Sequence, residues 1–528
     1  MREGSAVNSP AAPDAEARAV SVNLSTRYLA IGVEMLVGLL VLPFNIAHLG
    51  KAAYGLWVLT TSITAYFSVL DLGYSGAIVK FVAEHRARKE TRALNEVLST
   101  TFYLFAGFGT LAYLAAMFIA VYLERLLHLP PDQAHVGRMV LLVTSVNVAC
   151  GMAFTVFGGV INGFQRYDLN NLTGIVSTII VAVVNVAVLL AGYGLIGLVV
   201  ATTTVRVLTY WVYRANAYRV FPALTISLSN FRASRLRELT SFSVFMMLID
   251  WANRINYSVD VIVIGIVLDI SAVAVWSVAQ RLAEATQRLT NQLNDILFPN
   301  VVDHSTSSRH DRLQMLFLVG TRFSLATVVP IGVALILMGD LLVKAWVGPD
   351  FSGSVVVLQL LALTVIVRVG SAVSGTVLKG AGAHRFVAYA NVVTAVVNLP
   401  LSIVLAHWLG LAGVAVGTLV PVCITCMFVI FPAGCRRAGL PIARALADAV
   451  WPAVWPAAVM AAYLEITHPL VRVSLVPVLA NMAASALVYA AVFFAFGVSA
   501  VERRFVLSRL FEATSRIRVL RPSPSGQA

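Results

Sequence analysis

Residues 273–298 read VAVWSVAQRLAEATQRLTNQLNDILF, a stretch long enough to cross a bilayer that nevertheless carries Arg281, Glu284, Arg288 and Asp295. About 20 helical residues span the hydrocarbon core. A charge near its centre costs roughly 2.5–3.5 kcal/mol on insertion scales. Steps of three and four place Arg281, Glu284, Arg288, Asn291 or Gln292, and Asp295 along one helical face. One polar stripe on an intramembrane helix is tolerated where it lines a protein interior or a wet cavity. The segment before it repeats the pattern with Asp250, Asn253, Arg254, Asn256, Tyr257 and Asp260. A second reading has these charges pairing with one another and fixing helix register.

Composition agrees with a membrane setting. Of 528 residues 59% are hydrophobic and only 12% charged, and the mean hydropathy is +0.84. Soluble domains run at about 25% charged, so the chain reads as an all-α polytopic membrane protein. Its net charge of +13 reflects basic loops at a membrane surface rather than nucleic-acid binding. There is no P-loop, no G-x-S-x-G, no H-E-x-x-H and no nucleotide fingerprint, so an enzyme is not expected. Cys423 and Cys426 form a C-x-x-C inside an apolar run without acidic or His neighbours, which reads as helix packing, not as a metal site.

Windows of about 20 apolar residues give fourteen candidate helices: 27–48, 54–79, 97–123, 139–160, 170–192, 195–213, 240–265, 271–298, 314–338, 353–377, 386–408, 411–432, 449–466 and 474–498. Twenty-six Lys and Arg fall on one side, among them the runs Lys80–Arg92 and Arg214–Arg237, against five on the other (Lys51, Arg125, Arg138, Lys344, Arg472). The positive-inside rule then puts both termini in the cytoplasm. Residues 1–26 read as a disordered tail and 499–528 as a basic one.

The chain also resembles itself. At a shift of about 219, Leu49, Ala53 and Trp57 fall on Leu268, Ala272 and Trp276. Pro131-Asp132 matches Pro349-Asp350, Gly163 matches Gly380, and Gly194-Leu-Ile-Gly197 matches Gly410-Leu-Ala-Gly413. The shift covers an even number of helices, so two six-helix bundles, 27–213 and 240–432, should be related by a pseudo-two-fold axis along the membrane normal. Residues 214–239 are the linker, and 449–498 supply two extra helices. Gly159-x-x-x-Gly163 and Gly413-x-x-x-Gly417 read as sites of close helix packing.

The motifs His48-Leu-Gly50, Tyr54-Gly-Leu-Trp57, Leu70-Asp-Leu-Gly73, Lys80-Phe-Val-Ala-Glu84 and Asn162-Gly-Phe-Gln-Arg166 resemble polysaccharide flippases, of the O-antigen and exopolysaccharide type, in the multidrug/oligosaccharidyl-lipid/polysaccharide exporter superfamily. The resemblance covers about residues 25–500. It implies the V-shaped architecture of that superfamily and its multidrug exporters. It also implies transfer of undecaprenyl-diphosphate-linked oligosaccharide units across a bacterial inner membrane, with membrane lipids, a polysaccharide polymerase and a co-polymerase as partners. Arg suits a diphosphate and amides suit sugar hydroxyls. On that basis Arg254, Arg281 and Arg288 are the candidates for the diphosphate, and Asn253, Gln287, Asn291 and Gln292 for sugar. Asp250, Glu284 and Glu34 are candidates for charge pairing or for proton or sodium coupling; no cofactor or metal is expected. Arg322 and Arg368 are isolated and are not assigned to ligand. A multidrug exporter, a lipid II flippase and a membrane-embedded glycan polymerase or ligase are the alternatives.

Overall fold

A computed structural model describes residues 13–71, 74–127, 129–236, 259–306, 310–498 and 503, with the side chains of 13–21 and 291–306 among those left outside the description. Among the described residues there is no strand; the chain is a series of long helices. The first six are α1 (Pro13–Tyr66), α2 (Tyr74–Ala87), α3 (Thr91–Leu127), α4 (Pro131–Gly163), α5 (Tyr167–Leu190) and α6 (Gly194–Val220).

Contacts along α4 show how α1 runs. The Asn23 amide donates to the Gln165 carbonyl (3.3 Å), and Val82 packs on Gly163, both at the C-terminal end of α4. Leu56 instead packs on Gly137, near the α4 start. Residues 23–82 therefore cross twice. The break between the two arms is Gly50, at φ 76° and ψ 168°, a region essentially closed to residues with a Cβ. The second arm is not the single helix 54–79 expected from hydropathy. It ends at Tyr66, continues as a 3₁₀ turn over Phe67–Asp71 and resumes at Tyr74.

The later principal helices are α7 (Ile270–Thr306), α8 (His310–Val347), α9 (Ser354–Gly380), α10 (His384–Cys423), α11 (Pro456–Thr467) and α12 (Leu475–Val492). Gly410 (φ 59°, ψ −136°) breaks α10 into a hairpin. The Thr394 and Thr425 hydroxyls, one on each side of the break, hydrogen-bond to each other. Ten helices among the described residues are long and apolar enough to cross a membrane. Those holding Gly50 and Gly410 are each broken into two arms, which brings the number toward the fourteen expected. The segment 240–265 is described only from residue 259. The protein is a multi-pass, all-α membrane protein.

The chain divides into two compact units, residues 1–277 with 395–414 and residues 278–394 with 415–528. In the first, Ile78, Val82, Leu98, Phe105, Val156, Phe157 and Ile161 form a buried core shared by α2, α3 and α4. Lipid removes much of the driving force for expelling apolar surface, so close backbone approach matters more. A Cβ on Gly109 would lie 2.5 Å from the Ala149 carbonyl oxygen. Gly159 and Gly163 take Ile78 and Val82 of α2 against their bare Cα atoms, as their spacing predicts. Gly55, inside the Tyr54-Gly-Leu-Trp57 motif, lies against the Ile270 carbonyl.

In the second unit α11 and α12 pair, with the Asn481 amide donating to the Thr467 hydroxyl (3.0 Å). Arg322 of α8 donates to the Gly497 carbonyl (3.2 Å), so this isolated arginine has a structural tie. Large apolar side chains such as Phe118, Val183, Trp408 and Leu487 are exposed, as befits a molecule whose solvent is lipid. The internal repeat is visible in the helix ends. Gly163 and Gly380 close α4 and α9, and Gly194 (φ 60°) and Gly410 (φ 59°) break the chain at matching points.

Candidate functional site

Helix α7 is buried all round at Trp276–Ala279 and becomes two-faced beyond it. Trp276, Ala279, Ala283, Thr286 and Thr290 are buried at steps of three and four. The two threonine hydroxyls donate back to the Leu282 (2.9 Å) and Thr286 (3.2 Å) carbonyls, so neither is left unsatisfied. On the other side Arg281 and Arg288 are exposed; Glu284 and Gln287 are half-buried. Two turns separate the arginines, roughly 10 Å along the axis. Glu284 accepts a hydrogen bond from the Gln280 amide (2.7 Å).

Arg281, Glu284 and Arg288 thus lie along one strip of the helix, and Gln287 lies beside the buried stripe, four residues after Ala283. Asn291 and Gln292 extend α7, but their side chains lie outside the described residues, as do Asp250, Asn253 and Arg254 altogether. Glu34 is an exposed residue of α1 and belongs to the other unit.

The first unit holds a polar site that sequence reasoning missed. Where the helix breaks at Phe67–Asp71, Asp71 borders a cavity of about 310 Å³ with Phe105, Asn147, Met152 and Tyr210. A neighbouring cavity of about 270 Å³ is lined by Asn162, Asn170 and Tyr213, and both share Gly151, Thr155 and Tyr210. The Tyr210 hydroxyl donates to Asn147 Oδ1 (2.9 Å). A Cβ on Gly151 would come within 2.7 Å of that hydroxyl, so the glycine keeps the space open.

Asn147 sits at the middle of α4, which puts the cavity at mid-depth. Non-helical backbone at that depth is tolerated where it lines a cavity or is buried in protein. Amides, phenols and one carboxylate accept hydroxyl-rich or cationic groups and repel a bare anion. Asp71, Asn147, Asn170 and Tyr210 come from four separate elements, and only the packing of the helices gathers them.

Among the described residues no cluster of three His, Cys, Asp or Glu could hold a metal ion. Cys426 is buried and Cys423 half-buried, both free thiols.

Comparison with known proteins adds the following. Residues 48–356, which include the whole of α7, match a family described as polysaccharide biosynthesis protein. Over 390 residues the chain is 22% identical to the probable flippase AglR of Haloferax volcanii, covering 72% of this chain and 77% of that one. It is 24% identical over 182 residues to the probable low-salt glycan biosynthesis flippase Agl15 of the same organism, covering 34% and 39%. In fold it is similar to the lipid II flippase MurJ in an inward closed conformation, with a TM-score of 0.70, 14% identity and coverage of 89% and 98%.

Proposed function

This chain belongs to the polysaccharide biosynthesis protein family, and from that premise we propose that it is a flippase, a transporter and not an enzyme, carrying lipid-linked oligosaccharide from one leaflet to the other. The substrate class is a polyprenyl diphosphate-linked oligosaccharide, undecaprenyl in a bacterial inner membrane, with both termini cytoplasmic. The observation that carries this reading is the family match running through α7, the helix on which Arg281 and Arg288 are exposed.

Arg281 and Arg288 receive the diphosphate, since guanidinium groups keep their charge and offer forked donors. Gln287 hydrogen-bonds the adjacent sugar, in company with Asn253, Asn291 and Gln292, and Arg254 adds a third cation. Glu284 keeps the strip partly neutral, so that an anion can leave again; with Asp250 and Glu34 it is a candidate for proton or sodium coupling. The lipid tail stays in the bilayer while the polar head crosses. The family description and the printed name of Agl15 support a glycan substrate over a drug.

The test uses proteoliposomes carrying a fluorescent lipid-linked oligosaccharide and a membrane-impermeant quencher. Protein-dependent movement of the label between leaflets, without chemical change to the glycan, is the expected result. No movement above empty vesicles, or extension of the glycan, would sink the proposal. A resistance assay on an overexpressing strain separates it from drug export.

A further inference from the structure

Three basic residues that lie far apart in the sequence meet at one end of the first unit. Arg86 closes α2, Arg166 lies in the turn between α4 and α5, and Arg219 is in the last turn of α6. Together with Phe164, Leu169 and Asn216 they line a cleft of about 530 Å³. Two of the three guanidiniums are held in place. Arg86 donates to the Gly163 carbonyl (3.2 Å) and lies over the Phe164 ring at 5.1 Å. Arg166 makes a two-pronged pair with Asp168 (3.0 and 3.1 Å), and that hydrogen bond raises its affinity for its proton above the ordinary arginine value. Arg219 is exposed and makes no ion pair among the described residues. Among the described residues these three positive charges meet one paired carboxylate, Asp168, beside the apolar Phe164 and Leu169 at the ends of long helices.

We propose that this cleft is a binding site for a lipid-borne phosphate or diphosphate at the membrane interface, distinct from the strip on α7. Anchored guanidiniums present fork-shaped donors to phosphate oxygens with little further ordering. Helix ends where basic residues gather lie at headgroup depth, where lipid phosphates are found. The Phe164 and Leu169 floor suits the first methylenes of the attached lipid. Phosphate on a polyprenyl carrier and phosphate on an anionic bilayer lipid share this chemistry. The site stands whether or not the chain moves its ligand, because it concerns binding alone.

The test takes the full chain in phosphatidylcholine nanodiscs and titrates it with farnesyl diphosphate. A second arm adds inorganic pyrophosphate as competitor, and a third dopes in phosphatidylglycerol and reads retained lipid by native mass spectrometry. Arg219→Glu and Arg166→Gln should each weaken binding at least tenfold. Lys89→Glu, which reverses a charge at the same end outside the cleft, should leave it within twofold. Displacement by pyrophosphate identifies a diphosphate carrier; retention of phosphatidylglycerol that Arg219→Glu abolishes identifies a bilayer lipid. Thermal melting checks that the variants fold, and Arg219→Lys should keep most of the affinity. Binding of every probe unchanged in Arg219→Glu, or no binding by the natural protein, overturns the proposal.

Discussion

Gln165 and Gly382 occupy the same place in two copies of one turn. In each copy a helix ends at a glycine, Gly163 or Gly380, and the chain closes with the same pair of backbone bonds. Arg166 N–H reaches the Ile161 carbonyl (3.0 Å) as Ala383 N–H reaches the Leu378 carbonyl (2.8 Å). The residue before each donor is left-handed, Gln165 at φ 63° and Gly382 at φ 82°. A side chain costs roughly 1–2 kcal/mol in that conformation. Gly382→Ala should therefore destabilise the protein by about that amount, read as a lower melting temperature in detergent. Gln165→Gly should change stability by less than about 1 kcal/mol, because relief of strain is offset by the greater freedom of glycine in the unfolded chain.

Gly109 tests the close approach of α3 and α4. The atom a new Cβ would meet is backbone, the Ala149 carbonyl oxygen at 2.5 Å, so no rotamer change can make room. Gly109→Ala should cost about 1–3 kcal/mol as overpacking, seen as reduced thermal stability and lower yield of folded protein. Gly107, where a Cβ would meet nothing within 4 Å, is the control. Gly107→Ala should melt at or slightly above the natural protein, since helical Ala loses less chain freedom than Gly.

The mid-depth cavity gives a different signature. Gly151→Ala places a methyl against the Tyr210 hydroxyl, 2.7 Å away in the present geometry, and so fills the space and displaces the phenol from Asn147. Flipping rate should fall at least fivefold with insertion retained, alongside a loss of stability of about 1–3 kcal/mol from the tight contact and the lost hydrogen bond. Tyr210→Phe removes the donor to Asn147 Oδ1, at a cost of about 0.5–1.5 kcal/mol. A flipping rate unaffected by Gly151→Ala would separate this cavity from transport.

Arg281 and Arg288 share the open face of α7, so reversing either charge should not disturb the buried face. Arg281→Glu and Arg288→Glu should each abolish flipping in proteoliposomes, with normal insertion. Arg322→Gln should act instead on stability, since Arg322 ties α8 to the Gly497 carbonyl. Normal flipping by both charge-reversal variants would remove the assignment.

Periodicity and charge were enough to establish a polytopic helical chain and the exposed arginines of α7. These are properties of single helices, and a helix fixes which residues share its face before any packing occurs. The reversals at Gly50 and Gly410 were legible as segment boundaries, because only glycine enters those backbone regions freely. The break at Phe67–Asp71 was not, since a hydropathy window over 54–79 averages across Ser68, Asp71 and Gly73 and does not show that the helix stops at Tyr66. Nor could the sequence assemble Asn147 with Tyr210, or Arg86 with Arg166 and Arg219. Each of those groupings draws on helices separated by long stretches of chain. Which side chains meet is decided by how closely bare glycines let α2, α4 and α6 approach, and that is a property of the packed bundle alone.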